Sequence, residues 1–451
     1  MIFKDQRVLV IGLAKSGISS IKALKEEGAL VTVNDAKTEV QLESLISEIK
    51  PYVVDSIFGS HPEQVEGIDL VVVSPGVPLD IPFIQKIKQS NLPIIGEIEL
   101  AYQLCKGTFV GITGTNGKTT TTALIGEMFK NAGRDHFVVG NIGIPAVSRA
   151  KEATHKTTMV TELSSFQLES IVDFRAHIAV ILNVTPDHLN RHKTMESYVD
   201  AKARIFENQD ETDYLILNYD NEITRALGKN AKSKVIYLSQ KTLLEEGVFI
   251  EAGHFVIQLG SERITVCKIE DLFILGAHNV ENALASIATA HLSGIPVEKI
   301  KQTLMTFKGV EHRLEYVDTI KGRVLYNDSK GTNVDSTVCA LKSMKTKTVL
   351  IAGGMDKGST YESLFEAFEG KVTAMVLLGE TQHKIKAEAF KNQFENCFCV
   401  KNMEEAVSKA YELSEYGDAI LLSPACASWD MYENFEKRGE HFKKCVHTLK
   451  G

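Results

Sequence analysis

The stretch Gly111-Ile-Thr-Gly114-Thr-Asn-Gly117-Lys118-Thr119-Thr-Thr-Thr122 decides how this chain is read. Behind it lies the apolar pair Phe109 and Val110, and ahead of it Ala123 to Asn131 has the spacing of an amphipathic helix closed by Gly133. That is a strand, a glycine-rich loop and a helix start. Glycines let backbone N–H groups turn onto a phosphate, and the helix N-terminus adds partial positive charge. A lysine there reaches the terminal phosphates, and a hydroxyl is available to Mg²⁺. Gly114, Thr115, Asn116, Gly117, Lys118, Thr119 and Thr120 are therefore the candidate ATP contacts. The match is not the strict G-x-x-x-x-G-K-[ST], because Ile112 stands at the first glycine position. The bland alternative is a glycine-rich turn with a surface lysine.

Working outward, 451 residues allow about three domains. The hydrophobic share of 44% and charged share of 24% are those of a soluble globular protein. No apolar run approaches the roughly 18 residues of a spanning helix. MIFKDQRVLVIG runs directly into a strand, so a cytoplasmic protein without a signal peptide is expected. The seven cysteines lack metal-like spacing, and Cys397 and Cys399 flank Phe398 in an expected strand, so they read as packing residues in a reducing compartment. A formal net charge of −8 with no long basic run argues against nucleic acid or membrane as the main partner.

Residues 1–96 alternate strand and helix signals. Arg7 to Ile11 reads as a strand, Gly12-Leu-Ala-Lys-Ser-Gly17 as a turn, Ile18 to Glu27 as a helix stopped at Gly28, and Leu30 to Val33 and Leu70 to Val73 as further strands. The turn carries Ala14 where a dinucleotide fingerprint has its second glycine, and Asp35 sits where a ribose-binding acid would be, so both a nucleotide site and a structural turn stay open. In residues 97–309 the strands are Thr158 to Glu162, His177 to Leu182 and Tyr214 to Leu217. Short alternating runs between 234 and 270 suggest an antiparallel insertion, and a helix from Asn279 to His291 follows. Residues 310–451 return to strand and helix alternation. The expected fold is α/β in three domains: N-terminal Rossmann-like, central P-loop ATPase-type mixed sheet with a small antiparallel β insertion, and C-terminal Rossmann-like.

Polar clusters follow several apolar strands. Glu162 ends MVTE beside the phosphate loop, where a carboxylate can hold Mg²⁺ or simply be solvated. Asn183, Asp187 and His188 lie just past a buried strand that Pro186 ends. On the helix Met195 to Phe206, Tyr198, Lys202 and Phe206 share a face, so Lys202 either snorkels to water, the commoner outcome, or is chemically unusual. In the last domain Asp328 and Lys330, then Lys357, then Ser428 follow three strands. They meet along one sheet edge if those strands are parallel neighbours, and such an edge could receive an anionic, amine-bearing substrate. Each loop taken singly could be an ordinary αβ turn.

Together these segments resemble the Mur ligase family of peptidoglycan synthesis. The resemblance rests on GITGTNGKTTT, GNIG, TELSSFQLE, LNVTPDHLNRH, YVDAKARIF, GAHNVENALA, HRLE, NDSKGTN, GGMDKG and LSPACASWDMYENFEKRGEHF, an ordered set covering nearly the whole chain. NDSKGTN with SPACAS, and GLAKSG with SPGV, point to its D-glutamate-adding branch. The resemblance implies that ATP phosphorylates the carboxylate of UDP-N-acetylmuramoyl-L-alanine and that the amine of D-glutamate displaces the phosphate. Lys118, Glu162, His188 and Lys202 would be catalytic. Thr119 and Glu162 would hold one Mg²⁺, and His188 with Lys202, carbamylated by CO₂, a second. Asn279, Arg313 and Asp328 would complete the ATP site. Leu13, Ala14, Lys15, Ser16, Asp35, Ser74, Gly76 and Asn141 would hold the UDP substrate, and Lys330, Thr332, Lys357, Ser428 and Phe435 the D-glutamate. A monomer with hinges near 97 and 310 is expected.

Three rivals stay in view. A sister ligase with a longer diamino acid would need an acidic or arginine-bearing pocket that is not found. A nucleotide-dependent oxidoreductase would rest on GLAKSG and Asp35 alone. A non-catalytic ATP-binding regulator would have kept Lys118, Glu162, His188, Lys202 and Asp328 without use for them.

Overall fold

Runs apolar at every position, such as Val8 to Ile11 and Leu70 to Val73, are what strands buried on both faces require. In the computed structural model they lie side by side and parallel. The structure describes residues 2–449 apart from 63, 64 and 142, and of residue 190 the backbone only. The N-terminal sheet has the order Asp55–Phe58, Leu30–Asp35, Arg7–Ile11, Leu70–Val73, Ile94–Gly96, all parallel. Strand order reverses between Arg7–Ile11 and Leu70–Val73, the switch point at which doubly wound sheets leave a crevice for ligands. The loops Gly12 to Ser16 and Ser74 to Val77 open there.

The central sheet has nine strands: Glu262–Lys268, His254–Leu259, Gly247–Glu251, Lys234–Ser239, Tyr214–Asn218, Ile178–Ile181, Thr108–Thr113, Thr158–Glu162 and His136–Gly140 in spatial order. Thr108–Thr113, which feeds the phosphate loop, runs parallel between Ile178–Ile181 and Thr158–Glu162, with Ile112 opposite Glu162 and Thr113 opposite Ile181. Their carboxyl ends therefore converge. Antiparallel pairing is confined to the three strands between Gly247 and Lys268. Lys234–Ser239, expected in the antiparallel insertion, instead pairs parallel with Tyr214–Asn218 and continues the main sheet. Alternation reports burial of one face, and strand direction leaves no mark on it.

The helix Glu97–Leu104 joins the two sheets. Its first turn is fastened to the central sheet: Glu97 accepts from Val147 N at 2.7 Å, and one oxygen of Glu99 accepts from the backbone N–H of Val172, Asp173 and Phe174 at 2.8, 3.0 and 2.9 Å.

The third sheet has the order Glu315–Ile320, Arg323–Asn327, Ala419–Leu422, Thr348–Ala352, Val372–Leu377, Cys397–Cys399. The strands before the three polar loops are thus parallel neighbours, as the edge argument required. The chain divides into two compact units, Met1–Asp271 with Glu281–Thr303, and Leu272–Val280 with Leu304–Gly451. Among the described residues no helix is long and apolar enough to cross a membrane.

Candidate active site

The phosphate loop is shaped by two glycines in backbone conformations that other residues rarely adopt. Gly114 has φ +152°, and Gly117 has φ +86° at the start of the helix Lys118–Asn131. A Cβ on Gly117 would lie 2.2 Å from Asn282 Oδ1. The loop is also tied from outside: Asn183 Oδ1 accepts from Asn116 N at 2.9 Å, and Thr115 Oγ1 accepts from Thr185 N at 3.0 Å and lies 3.2 Å from the Tyr198 hydroxyl. A loop held this way presents its N–H groups with little reorganisation.

Two lysines converge on one loop oxygen. Lys118 Nζ donates to the carbonyls of Gly114 at 2.9 Å and Thr115 at 2.8 Å, and Lys202 Nζ donates to the same Gly114 carbonyl at 2.9 Å. Lys202 does not snorkel. It is 1% exposed, on a helix turn whose Tyr198 ring lies 4.6 Å from the ammonium. Burial, and secondarily the charge of Lys118, pull its pKa down to about 7. The aromatic face gave the lysine no path to water, and the Gly114 carbonyl supplied an acceptor inside.

Across the loop stands Glu162, 2% exposed. Its Oε1 accepts from Asn141 Nδ2 at 2.9 Å, while its Oε2 is buried with no hydrogen-bond partner among the described residues. An unsatisfied buried carboxylate oxygen is costly, and an oxygen-seeking cation is the ordinary remedy. Thr119, in the first helical turn, is 9% exposed. His188 takes a left-handed φ of 52° where the short helix Leu189–His192 begins. Its ring is half exposed, 3.5 Å from Asp187 and 5.0 Å from the Phe166 ring centre. Hydroxyl and carboxylate oxygens such as those of Thr119 and Glu162 are the ligand type a hard divalent ion takes.

At the N-terminal switch point, Asp35 spends both oxygens on backbone: Oδ2 accepts from Leu13 N at 2.7 Å and Oδ1 from Lys37 N at 2.9 Å. Ser74 Oγ donates to the Gly12 carbonyl at 2.8 Å, so the two loops are joined. Gly17 is required by space, since a Cβ would stand 2.0 Å from the Gly12 oxygen, whereas one on Gly76 would meet nothing within 4 Å. Ala14 and Lys15 are exposed and Ser16 half-buried.

The remaining candidates belong to the second unit. There Asp328 is buried, accepting from Ser423 Oγ at 2.6 Å and Leu314 N at 3.1 Å, and burial raises its pKa to about 6. Arg313, beside Leu314, forms a short bridge with Val310, and Asn279 donates to the Leu275 carbonyl at 2.6 Å. Lys330 Nζ lies 5.8 Å from the Phe435 ring and Lys357 Nζ 4.6 Å from that of Trp429. Thr332 is half-buried beside Lys330, and Ser428 is 2% exposed. Met355 N donates to the Ala427 carbonyl at 3.0 Å, which joins the GGMDKG and SPACAS loops. Arg438, to which the sequence assigned no role, is buried and donates to Ser329 Oγ at 3.0 Å, Ser329 O at 2.8 Å and Cys426 O at 3.1 Å. It clamps two of the three loops, and a lone arginine on an amphipathic helix gives no sign of that.

Fold and loop together define an α/β protein of the phosphate-loop class. The chain matches the family models described as Mur ligase MurD-like N-terminal domain over residues 6–96, Mur ligase middle domain over 112–290, and Mur ligase glutamate ligase domain over 312–426. It belongs to the Mur ligase family. It is 51% identical to proteins named UDP-N-acetylmuramoylalanine--D-glutamate ligase from Alkaliphilus oremlandii (strain OhILAs) and Clostridioides difficile (strain 630), over 100% of this chain and of each relative. Among solved structures, the fold is shared with UDP-N-acetylmuramate-alanine ligase from Thermotoga maritima, at TM-score 0.60 and 19% identity over 98% of this chain and 99% of that one. It is shared too with a type C pseudomurein peptide ligase from Methanothermus fervidus, at TM-score 0.55 and 21% identity over 99% and 100%.

Proposed function

We infer that this protein is an ATP-dependent amide ligase that adds D-glutamate to UDP-N-acetylmuramoyl-L-alanine, giving the L-alanyl-D-glutamate product, ADP and phosphate in peptidoglycan precursor synthesis. The observation that carries the reading is end-to-end similarity at 51% identity to ligases of that name. The substrate carboxylate attacks the γ-phosphorus of ATP, ADP leaves, and an acyl phosphate forms. The D-glutamate amine then adds to the acyl carbon, loses a proton, and the tetrahedral intermediate expels phosphate.

Such chemistry asks for charge neutralisation and in-line positioning. Lys118 is assigned to the β- and γ-phosphates. Thr119 with Glu162 would hold one Mg²⁺, and His188 with Lys202 another; Glu162 Oε2, without a hydrogen-bond partner among the described residues, favours the first. Bound Mg²⁺ would supply charge neutralisation at the transferring phosphoryl group. Lys202, with a pKa of about 7, has a neutral fraction whose nitrogen lone pair can attack CO₂ and, on losing a proton, become an anionic carbamate. Asn279 is assigned to adenine, Arg313 and Asp328 to the phosphate and ribose region. Lys330, Thr332, Lys357, Ser428 and Phe435 are assigned to D-glutamate. Leu13, Ala14, Lys15, Ser16, Asp35, Ser74, Gly76 and Asn141 go to the UDP substrate. Domain bounds at about 96 and 309 and a monomeric, cytoplasmic enzyme complete the reading.

The test is phosphate release from Mg-ATP with UDP-N-acetylmuramoyl-L-alanine, offering D-glutamate, L-glutamate, L-alanine, L-lysine and meso-diaminopimelate in turn. Release with D-glutamate alone is expected. Release with another amino acid would keep the ligase and move its substrate.

A further inference from the structure

Arg191 lies outside every role assigned above, yet it touches three of the segments that matter. Its Nη2 donates to Glu169 Oε2 at 2.5 Å and to the carbonyl of Val77 at 3.3 Å, and its guanidinium carbon lies 4.7 Å from the Phe166 ring centre. The side chain is 13% exposed, so these contacts are screened from water. Val77 closes the switch-point loop: its N–H donates to the Ser74 carbonyl, and Ser74 in turn donates to Gly12.

The other end of the connection is His188. Arg191 and His192 both donate their backbone N–H to the His188 carbonyl at 3.0 Å, so the three residues move as one turn. Phe166 packs against all of them, with ring centres 5.0 Å from His188 and 5.5 Å from His192. His192 is buried and fixed from behind, its Nε2 2.9 Å from Ser165 Oγ and its Nδ1 3.4 Å from Glu169. Glu169 thus holds both Arg191 and His192, and Phe166 is clamped between the arginine and the imidazoles.

We propose that Arg191 is a positioning residue that couples occupancy of the Ser74–Val77 loop to the orientation of His188. A ligand that orders the switch-point loop fixes the Val77 carbonyl, and the arginine carries that constraint through one helical turn to the imidazole. The guanidinium suits this use, because its planar fork can bond two acceptors while its face stacks on an aromatic ring, and an ammonium cannot do both. The assignment of UDP substrate and His188 rests on the proposed function; the contacts themselves do not.

The test combines steady-state kinetics with binding in Arg191→Ala and Arg191→Lys. In Arg191→Ala, kcat is expected to fall and KM for UDP-N-acetylmuramoyl-L-alanine to rise, each by about tenfold or more, while KM for ATP stays within about twofold. Millimolar guanidinium chloride restores part of kcat. Calorimetric affinity for the UDP substrate without ATP falls about tenfold too, which reads the coupling even if D-glutamate proves the wrong amino acid. Wild-type kcat and KM would overturn the proposal, as would equal losses toward both substrates with no guanidinium rescue. If the alanine variant does not fold, Arg191→Lys decides. A selective rise in KM for the UDP substrate supports the coupling, and wild-type values remove it.

Discussion

Two loops in this molecule have the same construction and opposite chemistry. Gly12 to Ser16 and Gly114 to Gly117 each leave a buried parallel strand, turn on positive-φ glycines and open a helix. The first is closed on itself, since Asp35 satisfies the N–H groups of Leu13 and Lys37 and Ser74 satisfies the Gly12 carbonyl. The second carries buried charge: two lysines on one carbonyl, one of them fully buried, and a carboxylate oxygen with no hydrogen-bond partner among the described residues. Backbone shape makes both loops able to approach a phosphate, and side chains decide which of them does chemistry. On the proposed function, the closed loop recognises and the charged loop reacts.

That contrast can be broken most sharply at Lys118. Lys118→Ala is expected to reduce phosphate release by about a thousandfold or more, with melting temperature and affinity for the UDP substrate near wild type. Residual activity within about tenfold would move the reactive centre elsewhere. Glu162→Gln comes next, at about a hundredfold loss with a raised Mg²⁺ requirement, read from a magnesium titration of turnover.

Lys202 sharpens the comparison through pH. Its folded pKa of about 7 lies below the usual lysine value, so the unfolded chain binds the extra proton between about 7 and 10.5. Below pH 7 both states are protonated and folding bears the full cost of burying the charge; stability rises with pH across that window by up to about 1.4 kcal/mol per unit. Lys202→Met should flatten that slope in chemical denaturation and abolish turnover, while Lys202→Ala should be partly rescued by acetate. An unchanged slope would place the lysine's environment nearer water than the geometry has it.

The closed loop should respond in stability first. Asp35→Asn places an amide where two backbone N–H groups need an acceptor, at about 1–3 kcal/mol, visible in the denaturation midpoint. Gly76→Ala, with open space around the new methyl, should change stability by less than about 0.5 kcal/mol. Equal losses at both sites would mean that the N-terminal loop is not held by Asp35.

Much of this was legible in the residues. Thr158–Glu162 matches its sequence bounds because both faces of that strand are buried and Glu162 ends the apolar run abruptly. Ala419–Leu422 and Thr348–Ala352 are likewise buried throughout, Arg323–Asn327 only in part, and the adjacency of the three put three polar loops on one edge. Asp55–Phe58 was missed because an edge strand exposed along half its length carries no apolar run. Lys202 was placed on its aromatic face correctly, yet snorkelling was the expectation, because the Gly114 carbonyl that receives it is 88 residues away. Asn183 was named at its strand end, but Glu281 and Asn282 join it by tertiary contact alone, and in the second unit Arg438 meets Ser329 and Cys426 in the same way. Periodicity records which face is buried, and says nothing of what a polar side chain will find there.

The most direct test follows oxygen. UDP-N-acetylmuramoyl-L-alanine labelled with ¹⁸O in both carboxylate oxygens, turned over with Mg-ATP and D-glutamate, should yield inorganic phosphate carrying one label and an amide carrying the other. Unlabelled phosphate would contradict the acyl phosphate and, with it, the assignment of the charged loop to carboxylate activation.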